Sequence, residues 1–221
     1  MPKTFPVMRK EGPAVGAADN EADVLSEEFF EARRKELKAR LPKKSRYRHS
    51  LGVAEESVRL AKLYGADVRK ARLAGLLHDW DKGYDDEGIR ARVAELGLEV
   101  DPFLLERMPQ LLHGPTAAAA LAKRFPQLPA DVVSAIERHT AGATDMSDLD
   151  MIVYVADVIE PNRDFPGVDE LRKLPEKEGL EDLFIDVSAH VLMNLVERRR
   201  FVHPHTLEVW NHYIARKKGS N

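Results

Sequence analysis

The chain has 221 residues, of which 43% are hydrophobic and 32% are charged, and its formal net charge is -3. This length suits one domain with a substantial core, and the balanced charge argues against a general nucleic-acid-binding surface. Cysteine is absent, which excludes disulfides and thiolate metal sites and is typical of a cytoplasmic protein. Because no apolar run is long enough to span a bilayer, we expect a soluble protein without a membrane partner.

The N-terminal segment differs in composition from the rest of the chain. Residues 1–26 are rich in Pro, Gly and Ala and lack apolar periodicity, which predicts a disordered tail. The folded domain is expected over residues 27–221. Its first helix is predicted over 29–41, where apolar residues recur at helical spacing until Pro42.

The next two predicted helices carry the first candidate metal ligands. A helix is predicted over 46–64, and His49 borders its apolar stripe. Asp67 can cap a third helix, which ends in the adjacent pair His78 and Asp79. Such a pair at the end of an apolar run is costly unless a partner compensates the charge, and a metal ion is one such partner. The alternative is a solvated helix C-terminus.

The helical pattern continues to the end of the chain. Further helices are predicted around 89–96, over Pro102–Arg107, 116–125, 129–140, 149–160 and 180–199, and after Pro204. No strand-like alternation lasts more than a few residues, and no internal repeat is found. The predicted fold class is therefore all-α.

Three more potential ligands lie in these later helices. His113 is placed at a helix start, His139 on a buried helix face and Asp157 inside an apolar helix. A carboxylate in such a helix needs a cationic partner or hydrogen bonds. Each histidine also has a simpler interpretation, as a surface residue for His49, a capping residue for His113 and a core residue for His139.

Taken together, these residues offer nitrogen and oxygen ligands without sulfur, a combination that suits iron, manganese, cobalt or zinc. Six ligands exceed what one ion needs. Two ions close together are the standard arrangement for hydrolysis of phosphoesters and phosphoanhydrides. One site would use His49, His78, Asp79 and Asp157, and the second would use His113 and His139 with Asp79 as a shared bridge.

Five segments carry a resemblance to a known family. They are 46–54 (RYRHSLGVA), 75–82 (GLLHDWDK), 112–115 (LHGP), 138–140 (RHT) and 154–168 (YVADVIEPNRDFPGV). In this order they resemble the YqeK family of HD-domain phosphohydrolases. The most distinctive part is the string Ile-Glu-Pro-x-Arg-x-Phe-Pro-Gly-Val, and the resemblance does not cover the first two dozen residues.

The resemblance implies an HD-domain helical bundle with a metal site in its central cleft. It further implies a di-iron centre that hydrolyses diadenosine tetraphosphate symmetrically to two ADP. The six metal ligands of the family fall on the same six residues. This chain departs from the family at Ala141, where a threonine is common, and has an acidic Asp81 before Lys82. Neither departure removes a ligand, but both could alter the groups that surround the ligands or the substrate preference.

An enzyme acting on four linked phosphates must neutralise several negative charges. Lys82 and Arg163 are the candidates to hold phosphate oxygens and the leaving ADP, although both could be ordinary solvated side chains. Arg46 is a weaker candidate, and Thr140 is also assigned to substrate binding. Asp79, Lys82 and Arg163 form the predicted catalytic set.

Two other functions remain open at this point. The chain could be an HD-domain phosphohydrolase acting on another nucleotide, or a nucleotide-sensing module without turnover. The full ligand set disfavours the second alternative. The expected partner is a dinucleoside polyphosphate, nucleic acid is not expected, and a homodimer is left open.

The remaining aromatic and histidine residues are given simple roles. Base stacking is a loose expectation for Trp80, Tyr84 and Phe165. His190 is expected to pack at the edge of the core. Loop or surface roles are expected for His203, His205 and His212.

Overall fold

A computed structural model describes residues 8–9 and 23–219 of the chain. Its helices confirm the all-α fold class. They are α1 (Glu27–Arg40), α2 (Lys44–Tyr64), α3 (Val68–Leu77), α4 (Asp86–Leu96), α5 (Pro102–Arg107), α6 (His113–Arg124), α7 (Ala130–Arg138), α8 (Asp148–Ile159), α9 (Val168–Leu171), α10 (Leu180–Glu197) and α11 (Pro204–Gly219), with a 3-10 turn at Pro109–Leu112.

Two short strands accompany the helices. β1 (Met8–Arg9) pairs antiparallel with β2 (Leu98–Glu99), with Met8 opposite Glu99. Most of the predicted N-terminal tail, residues 1–7 and 10–22, lies outside the described residues. At its end, the Ser26 hydroxyl accepts a hydrogen bond from the Phe29 amide and caps α1.

Local sequence signals set the helix ends. The Asp67 carboxylate accepts bonds from the Arg69 and Lys70 amides at the start of α3, as its position predicts. Ser147 and Asp150 form the predicted capping box at the start of α8. These caps satisfy amides that have no partner within the helix.

Helices α2 and α3 pack at unusually short range because of a glycine. A Cβ atom at Gly75 would lie 2.8 Å from the Ser57 Oγ and 2.9 Å from the Ala54 Cα, so no larger residue fits there without a shift. This close approach brings the C-terminal end of α3 beside the part of α2 that carries His49. The backbone contact therefore decides where the first two imidazoles meet.

The main hydrophobic core surrounds α8. Every residue of α8 from Leu149 to Ala156 is buried, which is the burial expected of a central helix. Tyr154 meets Phe184 of α10 edge-on with ring centroids 5.0 Å apart, and Phe184 meets Tyr213 of α11 at the same distance. These contacts attach the two C-terminal helices to the bundle.

A smaller apolar cluster lies under α4, α5 and the 3-10 turn. Its buried members are Ile89, Val93, Leu104, Met108 and Leu112. Leu112 directly precedes His113, so this cluster fixes the start of α6. Within the described part of the chain, no helix is both long enough and apolar enough to cross a membrane.

Candidate metal centre

The six predicted ligands come from five separate segments and converge in the interior. His78 and His139 each follow the last residue of a helix, since α3 ends at Leu77 and α7 ends at Arg138. The sequence pattern predicted helix ends at residues 79 and 140, so both helices end earlier than expected. His113 is the first residue of α6. His49 lies within α2 and Asp157 within α8.

The same local bond orients three of the four imidazoles. The Nδ1 atom of His78 is 2.7 Å from the Gly75 carbonyl oxygen. His113 and His139 make the equivalent contacts with residues 110 and 136, at 2.6 and 2.8 Å. Carbonyl groups in the last turn of a helix have no helical donor, so a ring N–H can satisfy them. Each ring therefore donates from Nδ1 and presents its Nε2 lone pair to the interior.

The four Nε2 atoms meet in two pairs. His49 and His78 approach to 3.2 Å between Nε2 atoms, and His113 and His139 approach to 3.0 Å. When both rings of a pair donate from Nδ1 in the neutral form, their Nε2 lone pairs face each other. Such a contact needs either a shared proton or a cation between the rings.

Asp79 lies between the two pairs. Its Oδ1 is 3.0 Å from the His113 Nε2 and 3.9 Å from the His139 Nε2. Its Oδ2 is 3.7 Å from the His49 Nε2 and 3.6 Å from the His78 Nε2. The carboxylate therefore faces both pairs at once, which is the position required of a bridging ligand.

Asp157 closes the side of the cluster next to α2. Its Oδ1 is 2.9 Å from the His49 Nε2 and 3.8 Å from the His78 Nε2. The guanidinium of Arg163 contacts the same oxygen at 2.6 Å. This cationic partner explains how the apolar helix α8 tolerates a carboxylate.

Burial and charge shift the pKa values of the cluster in opposite directions. Burial lowers the pKa of His78. The pKa of His139 is held well below its usual value by burial and by the neighbouring His113 and His78. Burial also disfavours charge on His49, but hydrogen bonds to Asp157 and Glu160 outweigh it and raise that pKa to about 8.

The carboxylates are held ionised. Burial alone would raise the pKa of Asp79, but the adjacent His78, His113 and Lys82 keep it well below the usual value. For Asp157 burial is likewise opposed by the bond to His49 and by Arg163, and the pKa is again far below its usual value. The site thus offers two anionic carboxylates beside the neutral imidazoles of His78 and His139, whereas His49 must lose a proton before its Nε2 can bind an ion.

This donor set fits divalent metal ions. Among the described residues, three groups have ligand atoms close enough to hold an ion: His49, His78 and Asp79; Asp79, His113 and His139; and His78, His139 and Asp157. The buried Asp79 Oδ2 has no hydrogen-bond partner, although such an atom is costly to leave unpaired. A cation would satisfy this oxygen and separate the facing lone pairs.

Cationic side chains border the cluster. Lys82 Nζ lies 3.4 Å from both ring nitrogens of His113, and Arg46 NH1 lies 3.8 Å from the Asp79 Oδ2. Burial and the nearby Arg46 and Arg163 cations lower the pKa of Lys82, against the opposing effect of the two carboxylates. Thr140 donates its hydroxyl hydrogen to the Leu111 carbonyl at 3.0 Å, which ties its loop to the start of α6.

Sequence reasoning missed the role of Asp81. Its carboxylate is fully buried between two guanidiniums, with Arg40 NH2 at 3.0 Å and Arg92 Nε at 3.2 Å. This acidic departure from the family pattern therefore ties the turn after α3 to α1 and α4. The partners are too distant in sequence to be read from a local pattern.

Two expectations about other residues are wrong. Trp80 is 3% exposed and lies under the Arg40 guanidinium at 4.7 Å, so it is not available to stack on a nucleotide base. His205 lies in α11 and is buried rather than in a loop or at the surface, with its Nε2 3.1 Å from the Gly142 carbonyl oxygen. His203 lies in the loop before α11, as expected, and is also buried. His190 packs on Phe165 at the edge of the core, as expected, with ring centroids 4.9 Å apart.

The fold and the site together define a class: an all-helical protein whose buried histidine and aspartate cluster suits divalent metal ions. The model of the HD domain family matches residues 46–162, which include all six clustered residues. The chain belongs to the HD domain family and is an HD-domain hydrolase homologous to the symmetrical bis(5'-nucleosyl)-tetraphosphatases. The resemblance noted in the sequence is thereby confirmed.

Relatives from several bacteria support this membership. A symmetrical bis(5'-nucleosyl)-tetraphosphatase of Staphylococcus aureus is 36% identical over 80% of this chain and 90% of its own length. A protein of the same name from Bacillus subtilis is 35% identical over 77% and 90%. A crystal structure from Clostridium acetobutylicum, described as a predicted HD superfamily hydrolase involved in NAD metabolism, has a TM-score of 0.78 and 37% identity, covering 85% of this chain and 97% of that one.

Proposed function

We propose that this protein hydrolyses diadenosine tetraphosphate symmetrically to two ADP at a centre of two metal ions. The observation that carries the proposal is the convergence of four imidazole Nε2 atoms on the Asp79 carboxylate, in a chain homologous to symmetrical tetraphosphatases. Related dinucleoside polyphosphates would be secondary substrates. A cytoplasmic location remains a prediction, and a homodimer remains an open possibility.

The proposed ligands divide into two sets around Asp79. His49, His78 and Asp157 would hold one ion, and His113 and His139 would hold the other, with Asp79 shared. Two of the close groupings in the structure support this division. The third, His78 with His139 and Asp157, crosses the boundary and reflects how tightly the rings are packed.

Iron is the proposed metal, with manganese, cobalt or zinc as alternatives. Imidazole and carboxylate donors without thiolate suit these ions. When bound, the ions would polarise phosphoryl oxygens and make a water molecule nucleophilic near neutral pH. The protein supplies the enclosed, oriented donors and the cations at the rim.

The substrate-facing roles are assigned to side chains at the rim of the cluster. Lys82 and Arg163 would hold the phosphate oxygens, since an ammonium and a guanidinium flank the carboxylates on different sides. Arg46 would add a third positive charge. The Thr140 hydroxyl donates its hydrogen to the Leu111 carbonyl, so its oxygen would only accept a hydrogen bond from the substrate.

The products of the reaction test this proposal. Purified protein loaded with Fe²⁺ or Mn²⁺ should release ADP alone from diadenosine tetraphosphate. AMP together with ATP would contradict symmetric cleavage, and tight binding without products would favour the nucleotide-sensing alternative. Release of phosphate from a mononucleotide at a higher kcat/KM would favour the other phosphohydrolase alternative.

One matched pair of variants sharpens the test. Lys82→Met should keep the metal but lose most of the rate, because the charge beside His113 is removed while the ligands stay. Lys70→Met is the control, since Lys70 lies at the start of α3 and pairs with Asp131, away from the cluster. Equal activity of the two variants would remove Lys82 from the mechanism.

A further inference from the structure

Glu160 is a buried carboxylate that the proposed reaction does not use. It follows the last residue of α8 and is 1% exposed, and its Oε1 lies 3.0 Å from the His49 Nδ1. The other three imidazoles of the cluster use backbone carbonyls at this position. His49 is therefore the ring in the cluster that is backed by a charged acceptor, and a carboxylate increases the basicity of a ligating imidazole more than a neutral carbonyl does.

The Glu160 carboxylate is fixed from its other side as well. Its Oε2 accepts bonds from the Asn162 amide at 2.7 Å and from the Asn162 side-chain Nδ2 at 2.8 Å. A Cβ atom at Gly52 would lie 2.1 Å from the same oxygen, so a larger residue at this position of α2 would displace the Glu160 carboxylate. These contacts fix the Glu160 carboxylate beside Gly52, which lies one helical turn from His49 on α2.

The two halves of the cluster consequently differ in charge. The half with His49 and His78 has the carboxylates of Asp79 and Asp157 and is backed by Glu160. The half with His113 and His139 shares Asp79, and the Lys82 ammonium lies 3.4 Å from its His113 ring. Cations border both halves, because Arg163 lies 2.6 Å from the Asp157 Oδ1 and Arg46 lies 3.8 Å from the Asp79 Oδ2 in the first half. The Asp157 and Glu160 carboxylates, which the second half lacks, nevertheless leave the first position with the more negative surroundings.

We propose that Glu160 is a positioning residue that makes the His49 half of the centre bind its ion more tightly than the His113 half, so that the two ions load in sequence. This inference rests on the proposed two-ion centre. It assigns the tight position to His49, His78, Asp79 and Asp157. The exchangeable ion then lies beside Lys82, where substrate phosphate is proposed to bind.

Binding of Mn²⁺ to the full-length, metal-free protein tests the inference by calorimetry, with electron paramagnetic resonance as a second readout. We expect two classes of site in the wild-type protein. His49→Ala should remove the tight class, and His113→Ala should remove the weak class. A single class, or the reverse assignment, would overturn the inference.

Glu160→Gln keeps the shape of the side chain and removes its charge. It should weaken the tight class about 10–100-fold and leave the weak class unchanged. Glu56→Gln is the control. Glu56 lies on α2 and is buried like Glu160, but it pairs with Arg59. Weakening of both classes by the same factor, or of neither, would show that Glu160 has no selective effect.

Gly52→Ala provides an independent variant in case Glu160→Gln impairs folding. The added methyl group must displace the Glu160 carboxylate, so the same selective loss of the tight class is expected. Thermal unfolding of each metal-free variant identifies any general loss of structure. Failure of the wild-type protein to bind Mn²⁺ would overturn the metal centre itself. Two sites of equal Mn²⁺ affinity, with intact ADP release, would overturn only the proposed difference in affinity between the two halves.

Discussion

Arg163 binds Asp157 at two points, with Nε donating to the backbone carbonyl at 2.8 Å and NH2 donating to the carboxylate Oδ1 at 2.6 Å. The backbone bond holds the guanidinium at the rim of the cluster independently of the carboxylate. A guanidinium fixed in this way can remain in place when the carboxylate binds an ion. Arg163 is therefore suited to contact a phosphate rather than only to neutralise α8.

The first prediction follows from this pair of bonds. Arg163→Lys cannot reproduce the forked contact, so kcat/KM for diadenosine tetraphosphate should fall about 10–100-fold while metal content stays the same. Steady-state kinetics and metal analysis on the same preparation measure both quantities. Arg59→Lys on α2 serves as the control, and an unchanged kcat/KM in Arg163→Lys would exclude a substrate contact.

Asp79→Asn should remove metal from both halves of the centre. The carboxylate faces all four Nε2 atoms, and an amide provides one neutral oxygen in place of two charged ones. Metal analysis after dialysis should show loss of both ions together with loss of ADP release. Asp145→Asn, at an exposed carboxylate, is the comparison. Retention of one tightly bound ion with full turnover would contradict the bridging role.

Asp81→Asn should destabilise the fold. The substitution removes the anionic partner of the partly exposed Arg40 and Arg92 guanidiniums, and the loss of such charged hydrogen bonds costs about 1–3 kcal/mol. Urea unfolding of the metal-free protein measures the loss in the free energy of unfolding. Asp86→Asn, in the exposed first turn of α4, should change it little. Equal stability of the two variants would show that the paired charges do not hold the turn after α3.

Metal binding should depend on pH through His49. Its pKa is raised to about 8, because bonds to Asp157 and Glu160 outweigh burial, and a ligating imidazole must first lose its proton. The affinity of the tight site for Mn²⁺ should therefore increase with pH, by up to about tenfold per unit, and level off above pH 8. Calorimetric titrations between pH 6 and 9 measure this dependence. The lower limit lies about two units below the raised pKa of His49. Affinity independent of pH below 8 would contradict proton competition at His49.

Local chemistry carried in the sequence was enough to predict the longer helices, though not the short α9 or the 3-10 turn, and to predict the identity of the clustered residues. Apolar spacing, the Asp67 cap and the Ser147–Asp150 capping box act within a few residues, so they can be read without a fold. The six candidate ligands were recognisable because charged or imidazole groups stood in apolar surroundings. Their chain positions matched a known family pattern.

Only the tertiary structure decided which side chains support that cluster. The bond between His49 and Glu160 joins residues 111 positions apart, and Asp81 is buried because α1 and α4 each place an arginine beside it. Trp80, a residue proposed for base stacking, is covered by Arg40 for the same reason. Helix periodicity fixes which face of a segment is buried, whereas the packing of distant helices determines which groups that face meets.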